Sequence, residues 1–375
     1  MAVGNNLTVT GTSTLTGNVT AAGTVAMGSS FKRNRIINGN MLIDQRNAGA
    51  SVTPTSSNVY TVDRWYEGQS QASKFSFQQN AGSVTPPTGF TNYLGVTSLS
   101  AYSLTATDFF DLRQAIEGPN AADLAFGTAN AKTVTLSFYA YSSLTGTFGG
   151  VLRNYGGTRC YPFSYTISAA NTWTSVSITV AGDTSGTWTT TAGNGWGIVV
   201  FSFGAGTTYQ GTAGAWSGTT YTSCTGQTNV VGTNGATFYV TGVQLEVGTK
   251  ATPYEMQIYS DQLAQCQRYF EKSYAQGTVP GTASTQNGRR GTATNGVLSA
   301  SAWYYSSPFV VTKRATPTVT IYATTTGNSG NVTQDDGSNA AGTVQNINDT
   351  SFEVTFGNGS GRFGGWFHYV GSAEL

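Results

Sequence analysis

Charge is what this chain has least of. Only 9% of its residues are Asp, Glu, Lys or Arg, against roughly a quarter in ordinary soluble domains. Its 18 basic residues balance 17 acidic ones to a net charge of +1, which leaves no electrostatic footprint for nucleic acid or for an acidic lipid surface. Histidine occurs once, at His368, so a Ser-His-Asp triad or a histidine-based metal site would have to rest on that single ring. Cysteine occurs three times, as Cys160, Cys224 and Cys266. An odd, sparse set is no disulfide framework, and buried thiols are the expectation. No apolar run nears the roughly 20 residues that span a bilayer. The opening MAVGNNLTVT has neither the basic nor the apolar part of a secretory signal, and no phosphate-binding glycine loop ending in Lys-Ser/Thr occurs. These absences predict no cofactor, no metal, no nucleic-acid partner and no membrane insertion.

What is present is apolar and hydroxyl-rich. The 375 residues are 38% apolar and 12% aromatic, too much for a disordered polar chain and enough for two or three domains. Solubility falls to Thr, Ser, Asn, Gln and the 48 glycines, a surface common on extracellular or particle-borne β proteins.

Residues 7–30 repeat glycine every six positions, at Gly11, Gly17 and Gly23, with Val9, Leu15 and Ala21 two before and Val19 and Val25 two after. Six is not a helical period, and Thr and Gly are poor helix formers. Short β segments turned at each glycine fit better. One such run cannot bury its apolar side alone. Residues 1–30 therefore read as an intermolecular shaft or attachment region, most simply of three identical chains, with Val9, Gly11, Leu15, Gly17, Val19, Gly23 and Val25 at the contact. A Gly/Thr linker is the alternative.

At residue 31 the composition changes to FKRNRIINGNMLIDQRNAG (31–49). Asn-Gly between apolar runs signals a tight turn, and two short strands are expected around it. VYTVDRWYEG (59–68) alternates as another strand, with Asp63 and Arg64 placed to pair with Arg46 and Asp44 in a buried ion group. The motifs NRIINGNMLIDQRNAG and YTVDRWY resemble the opening of a group of bacteriophage tail-fibre and tail-tip proteins. That resemblance implies a virion role in fibre building or adhesion and assigns no chemistry.

From 70 to 257 the pattern is all-β: FSFQQ (75–79), TVTLSFYAYS (133–142), SVSITV (175–180), GIVVFSFG (197–204) and ATFYVTGVQLEV (236–247), separated by glycine-rich turns. TDFFDLRQAIEG (107–118) fits helical or strand spacing, and strand is favoured. Residues 31–257 then make a two-sheet sandwich. The order LRQAIEG, TVTLSFYAYS, FYVTGVQLEVG is similar to jelly-roll carbohydrate-binding modules. In some relatives the position of Thr241 or Gly242 is an Asp that helps bind calcium; that carboxylate is absent, so no metal site is implied.

The 204–235 stretch is a long Gly/Thr loop carrying Tyr209, Trp216 and Tyr221. Two readings stand: the rings form a sugar-stacking platform among hydroxyl and amide groups, or they fold back and pin the loop. YSDQLAQCQRYFEKS (259–273) predicts a helix capped by Ser260, with Tyr259, Leu263, Cys266 and Phe270 in one stripe. The stripe either docks on a sheet or forms a three-chain seam. Strands are expected at 297–312, 316–323, 351–360 and 364–375, and a loop at 326–342. CQRYFEKSY and GSAEL again resemble the distal module of phage tail fibres. Residues 258–375 are thus expected to be a linking helix and a second, smaller β-sandwich, with Trp303, Tyr304, Tyr305, Arg289 and Arg290 as its candidate ligand cluster. Alternation puts Trp303 and Tyr305 on one face and Tyr304 on the other.

Glycan cleavage needs two facing carboxylates. Asp111, Glu117, Asp183, Glu246, Glu255, Asp335 and Asp336 are present, but no spacing pairs them. The expectation is a homotrimeric phage tail-fibre protein in the virion. Its N-terminus would join other tail proteins, and it would bind host polysaccharide or lipopolysaccharide without cutting it. A purely structural virion fibre and a polysaccharide depolymerase are the rivals.

Overall fold

The computed structural model describes residues 32–285, 287–293, 302–357 and 364–375. The chain divides into two compact units, Met1–Arg33 and Asn34–Leu375, and the second is described here. The shaft positions Val9, Gly11, Leu15, Gly17, Val19, Gly23 and Val25 lie outside the described residues.

The strands follow in chain order as β1 (Tyr66–Gln69), β2 (Phe75–Gln79), β3 (Leu94–Ser98), β4 (Phe109–Glu117), β5 (Val134–Ser142), β6 (Gly146–Asn154), β7 (Cys160–Ile167), β8 (Thr174–Val180) and β9 (Gly195–Ala205). A short parallel pair, β10 (Gln210–Gly211) and β11 (Ser223–Cys224), precedes β12 (Thr237–Val247). Two five-stranded antiparallel sheets, β1-β4-β9-β6-β7 and β2-β3-β12-β5-β8, form a jelly-roll-like sandwich. Period-two alternation decides which side chains lie between them. In β5, Leu136, Phe138 and Ala140 are core residues, so Ser137, Tyr139 and Tyr141 face outward. Phe138 meets Phe201 at 4.8 Å and Phe75 meets Phe203 at 4.7 Å between ring centroids. Each fully buried ring contributes about 1.5–3 kcal/mol. Strand β9 is buried along its whole length, which is why it reads as a continuous apolar run rather than an alternating one.

The second β region follows: α1 (Tyr259–Gln267), β13 (Phe270–Lys272), β14 (Arg290–Ala293), β15 (Ala302–Pro308), β16 (Thr318–Ala323), β17 (Asn331–Gln334), β18 (Asn339–Gln345), β19 (Ser351–Gly357) and β20 (Gly364–Ser372). Strand β20 is its axis, pairing with β13, β14, β16 and β17. A separate core gathers Trp303, Ile321, Val332, Val354, Phe356 and Phe367.

Several local expectations are corrected. Residues 34–44 form no strands. The Asn38-Gly39 turn is there, closed by the Met41 amide donating to the Asn38 carbonyl at 3.1 Å. However, the Asn38 side chain takes both the amide and the carbonyl of Ile43, bonds that a ladder would otherwise supply. Gly39 lies so close to β12 that a Cβ would sit 2.1 Å from the Val243 carbonyl oxygen. The expected strand at 59–68 begins only at Tyr66, because the chain reverses at Val62–Trp65 with Arg64 at φ 71°. The helix ends at Gln267 rather than 273, and Ile258, not Ser260, occupies its N-cap. Phe270 belongs to β13, and Tyr259 is exposed, so the four-residue stripe is broken. The expected loop at 326–342 contains the β17–β18 hairpin, with Asp335 and Asp336 at its turn.

The two β regions meet through an ion cluster. Arg46 pairs with Asp63 at 2.6 Å and with Glu374 at 2.8 Å, and Arg64 also pairs with Glu374. Asp44 instead accepts the amides of Arg46, Asn47 and Gly49, capping its own turn. Arg46 stacks on Phe270 at 3.7 Å and Arg64 on Tyr269 at 3.6 Å. Nearby, Glu117 accepts two bonds from Arg268 at 2.9 and 2.7 Å and one from the Tyr269 hydroxyl at 2.6 Å. The four short motifs DQRNAG, DRWY, CQRYFEK and GSAEL therefore converge on one place, where they hold the sandwich against the C-terminal region.

Candidate functional site

The outer face of the β2-β3-β12-β5-β8 sheet is aromatic and hydroxylic. Across it Tyr141 pairs in register with Tyr239, Tyr139 with Ser175, and Ser137 with Ser177. A cavity of about 310 Å³ opens on this face, lined by Tyr139, Ser137, Ser175 and Ser177 from the sheet and by Phe90, Tyr254 and Met256 from flanking loops. No residue lining it is charged. Phe90 stands edge-on to Tyr139 at 5.5 Å and to Tyr254 at 5.2 Å, so the three rings form a corner.

The local backbone makes room for that corner. Strand β12 carries a register shift between Thr241 and Gln244, and Gly242 within it has φ +64°, a conformation that costs other residues energy. A Cβ there would lie 2.7 Å from Phe90 and 3.2 Å from Tyr139. Beside the cavity, Tyr141 and Tyr239 stack at 5.1 Å with an interplanar angle of 5°. Tyr93 and Trp173 close this group. Ring faces and hydroxyls set together in a neutral concavity are what an uncharged pyranose requires: apolar C–H faces stack and hydroxyls exchange hydrogen bonds. The Tyr254 hydroxyl is turned into the fold against the Gly39–Asn40 backbone, where burial pushes it above its ordinary range, so this residue offers the cavity its ring.

The side chains singled out in the sequence are placed otherwise. Tyr209 is edge-on to Phe109 at 5.2 Å. Trp216 packs on Tyr161 at 5.3 Å and Trp188 at 5.6 Å, and its indole donates to the Ala181 carbonyl at 2.8 Å. Tyr221 leans on the outer face of the β1-β4-β9-β6-β7 sheet, beside Cys160. The three rings are half-buried at separate points and form no common platform. In the C-terminal region Trp303 is a core residue, Tyr305 is half-buried against Phe367 at 5.7 Å, and Tyr304 is 64% exposed. Arg289 stacks over Trp366 at 4.8 Å, while Arg290 opens β14 opposite Phe367.

The carboxylates are engaged one by one. Asp111 takes Arg113 bidentately, and Asp183 takes Arg159 through two 2.7 Å bonds. Glu246 accepts from Gln244 and Thr252, and Glu255 accepts the Asn34 amide at 2.9 Å. Burial alone would raise Glu117, but its bonds to Arg268, Tyr269 and the Gly193 amide outweigh that and bring its pKa down to about 2. His368 is buried, with Nδ1 3.1 Å from the Ser273 hydroxyl, Nε2 2.8 Å from the Ser284 carbonyl oxygen, and Tyr274 stacked at 4.0 Å. All three cysteines are buried and unpaired. Among the described residues no helix is long and apolar enough to cross a membrane, and no three His, Cys, Asp or Glu side chains group as a metal site.

No protein-family model matches the chain, and no curated protein matches it by sequence. Solved structures similar to it include both groups that its motifs resemble. The enzymatically active domain of tailspike protein 4 from bacteriophage CBA120 aligns over 58% of this chain at 12% identity and a TM-score of 0.32. The chain spans only 22% of that domain's length. A family 11 carbohydrate-binding module from Clostridium thermocellum, in complex with a β-1,3-1,4-mixed-linked tetrasaccharide, aligns over 53% of this chain and 97% of its own at 13% identity, TM-score 0.29. A family 4 module aligns over 49% and 95% at 13% identity, TM-score 0.25. At TM-scores this low, none of these likenesses carries a function to this chain.

Proposed function

We propose that this chain is a receptor-binding protein of a phage tail fibre. In this reading it is a homotrimer joined to other tail proteins through its N-terminal residues. It binds a neutral host-surface glycan in the Phe90–Tyr139–Tyr254 cavity and does not cleave it. The observation that carries the reading is the cavity's lining, with three aromatic rings, several hydroxyls and no charge. Support for binding without cleavage is electrostatic. A retaining or inverting hydrolase needs one carboxyl held protonated near a second, ionised one. Asp111, Glu117 and Asp183 are instead each saturated by an arginine.

A glycan array with the intact protein tests the reading, with Tyr139→Ala as its control. Neutral-hexose glycans are expected to bind wild type and to lose about five- to tenfold in Tyr139→Ala, the worth of one stacked ring. No binding to any glycan would favour the purely structural fibre. Release of reducing sugar from host capsule would favour the depolymerase.

A further inference from the structure

The opposite outer face of the sandwich, on the β1-β4-β9-β6-β7 sheet, has a different chemistry. Its outward positions align in rows: Tyr66, Arg113, Val200 and Val151 in one, and Ala115, Ile198, Arg153 and Cys160 in the next. Two arginines thus stand on adjacent rows, and only one of them makes an ion pair. Arg113 holds Asp111 bidentately. The Arg153 side chain makes no hydrogen bond or ion pair among the described residues, and its Nε is sealed from solvent without a partner. Around it Val151, Cys160, Ile198 and Val200 are buried apolar side chains. The Asp111 carboxylate and the Tyr66 phenol lie within electrostatic reach of Arg153, and Tyr155, 42% exposed, lies within reach of Tyr66.

A guanidinium set into apolar surroundings beside a second cation is costly unless an anion meets it. Two other acids of the sandwich are already committed, Asp183 to Arg159 and Glu117 to Arg268. A planar guanidinium fork matches a carboxylate or phosphate edge. We infer that Arg153, with Tyr66 and Tyr155, forms a second binding site for an oxyanion carried on a glycan, a uronate carboxylate or a sugar phosphate. It is distinct from the neutral cavity on the other sheet.

Calorimetric titration of the intact protein with tri-galacturonic acid and with glucose 6-phosphate tests this, with the uncharged galactose trisaccharide and glucose as controls. At least one anionic probe is expected to bind more tightly than its neutral counterpart, and more weakly as salt is raised; the stronger arm identifies the oxyanion. Arg153→Gln is expected to lose about tenfold or more of that affinity, and Arg153→Lys to recover only part of it. A melting curve without ligand adds a readout independent of binding. Removing an uncompensated charge should leave the melting temperature unchanged or raise it. A melting temperature lowered by several degrees in Arg153→Gln would show a guanidinium already satisfied within the fold and would overturn the inference. So would wild type binding neither anionic probe at millimolar concentration, or Arg153→Gln binding as well as wild type. Tyr139→Ala with neutral glycans judges the cavity separately, so either site can fail without the other.

Discussion

Gly242 carries more of the candidate site than any ring does. Its φ of +64° and the 2.7 Å approach to Phe90 leave no room for a side chain. Gly242→Val should destabilise the fold by about 1–3 kcal/mol through backbone strain and also displace Phe90 from the cavity. Urea denaturation measures the first effect and glycan binding the second; a variant that keeps both would dissociate this glycine from the site. Glu117 and His368 are two of the residues through which falling pH weakens the fold. Glu117 has its pKa lowered from 4.5 to about 2, so the unfolded chain binds its proton first and stability falls as pH drops from about 4.5 toward 2. His368 has its pKa lowered from 6.5, chiefly by burial, with Arg289 and Arg290 adding repulsion against the opposing Ser284 bond. Its contribution is complete above about pH 6.5 and is lost as pH falls below that value. In denaturation midpoints measured across pH 2–7, Glu117→Gln should flatten the fall between about pH 4.5 and 2 and His368→Gln the fall below about pH 6.5. Asp63 and Glu67, each raised by burial to about 7, oppose the decline between about pH 7 and 4.

At the scale of elements the ion cluster between the two β regions makes the clearest prediction. Glu374 serves both Arg46 and Arg64, and the Arg64 side chain is only 1% exposed. Glu374→Ala would leave those guanidinium groups without their shared partner, a loss of about 3–5 kcal/mol, checked by chemical denaturation. Glu374→Gln should cost less, because the amide oxygen still accepts hydrogen bonds.

This cluster also marks where reading the sequence works and where it stops. The Arg46–Asp63 pair was legible, since in so charge-poor a chain opposite charges near a turn have few other uses. Glu374 lies 328 residues from Arg46, and no spacing rule reaches that far. The sandwich strands were legible from alternation and from the apolar run of β9. The expected helix overshoots because Phe270 continues its apolar stripe, while the flanking Tyr269 and Glu271 side chains are engaged by Glu117 and Lys313 and the backbone enters β13. The cavity was half-legible. Ser137, Tyr139 and Tyr141 alternate visibly along β5, but Phe90 and Tyr254 come from loops with no periodic signal. The long 204–235 loop drew one of the two candidate clusters because its aromatics stand among turn residues, and sequence cannot show that Trp216 finds Trp188 and Tyr161.

For the whole molecule, the proposed function rests on assembly as much as on chemistry. One neutral cavity offers a few stacked rings, each worth about 0.5–1.5 kcal/mol beyond its burial, so a single chain should bind a host glycan weakly. Three copies held together convert the second and third contacts into local events, which multiplies avidity by about 10²–10⁴ without a new contact. The hexad at Gly11, Gly17 and Gly23 is where such a trimer would be wound. The hexad reading puts each of these glycines at a tight turn, where a β-branched residue would cost about 1–2 kcal/mol, and three chains would incur it together. Gly17→Val should therefore lower trimer stability in native mass spectrometry while leaving the monomer's glycan affinity in calorimetry unchanged. Adsorption to host cells should fall by the avidity factor. Wild type appearing as a monomer at micromolar concentration would sink the trimer. A trimeric Gly17→Val protein of undiminished stability would move the assembly contact away from the hexad and into Asn34–Leu375.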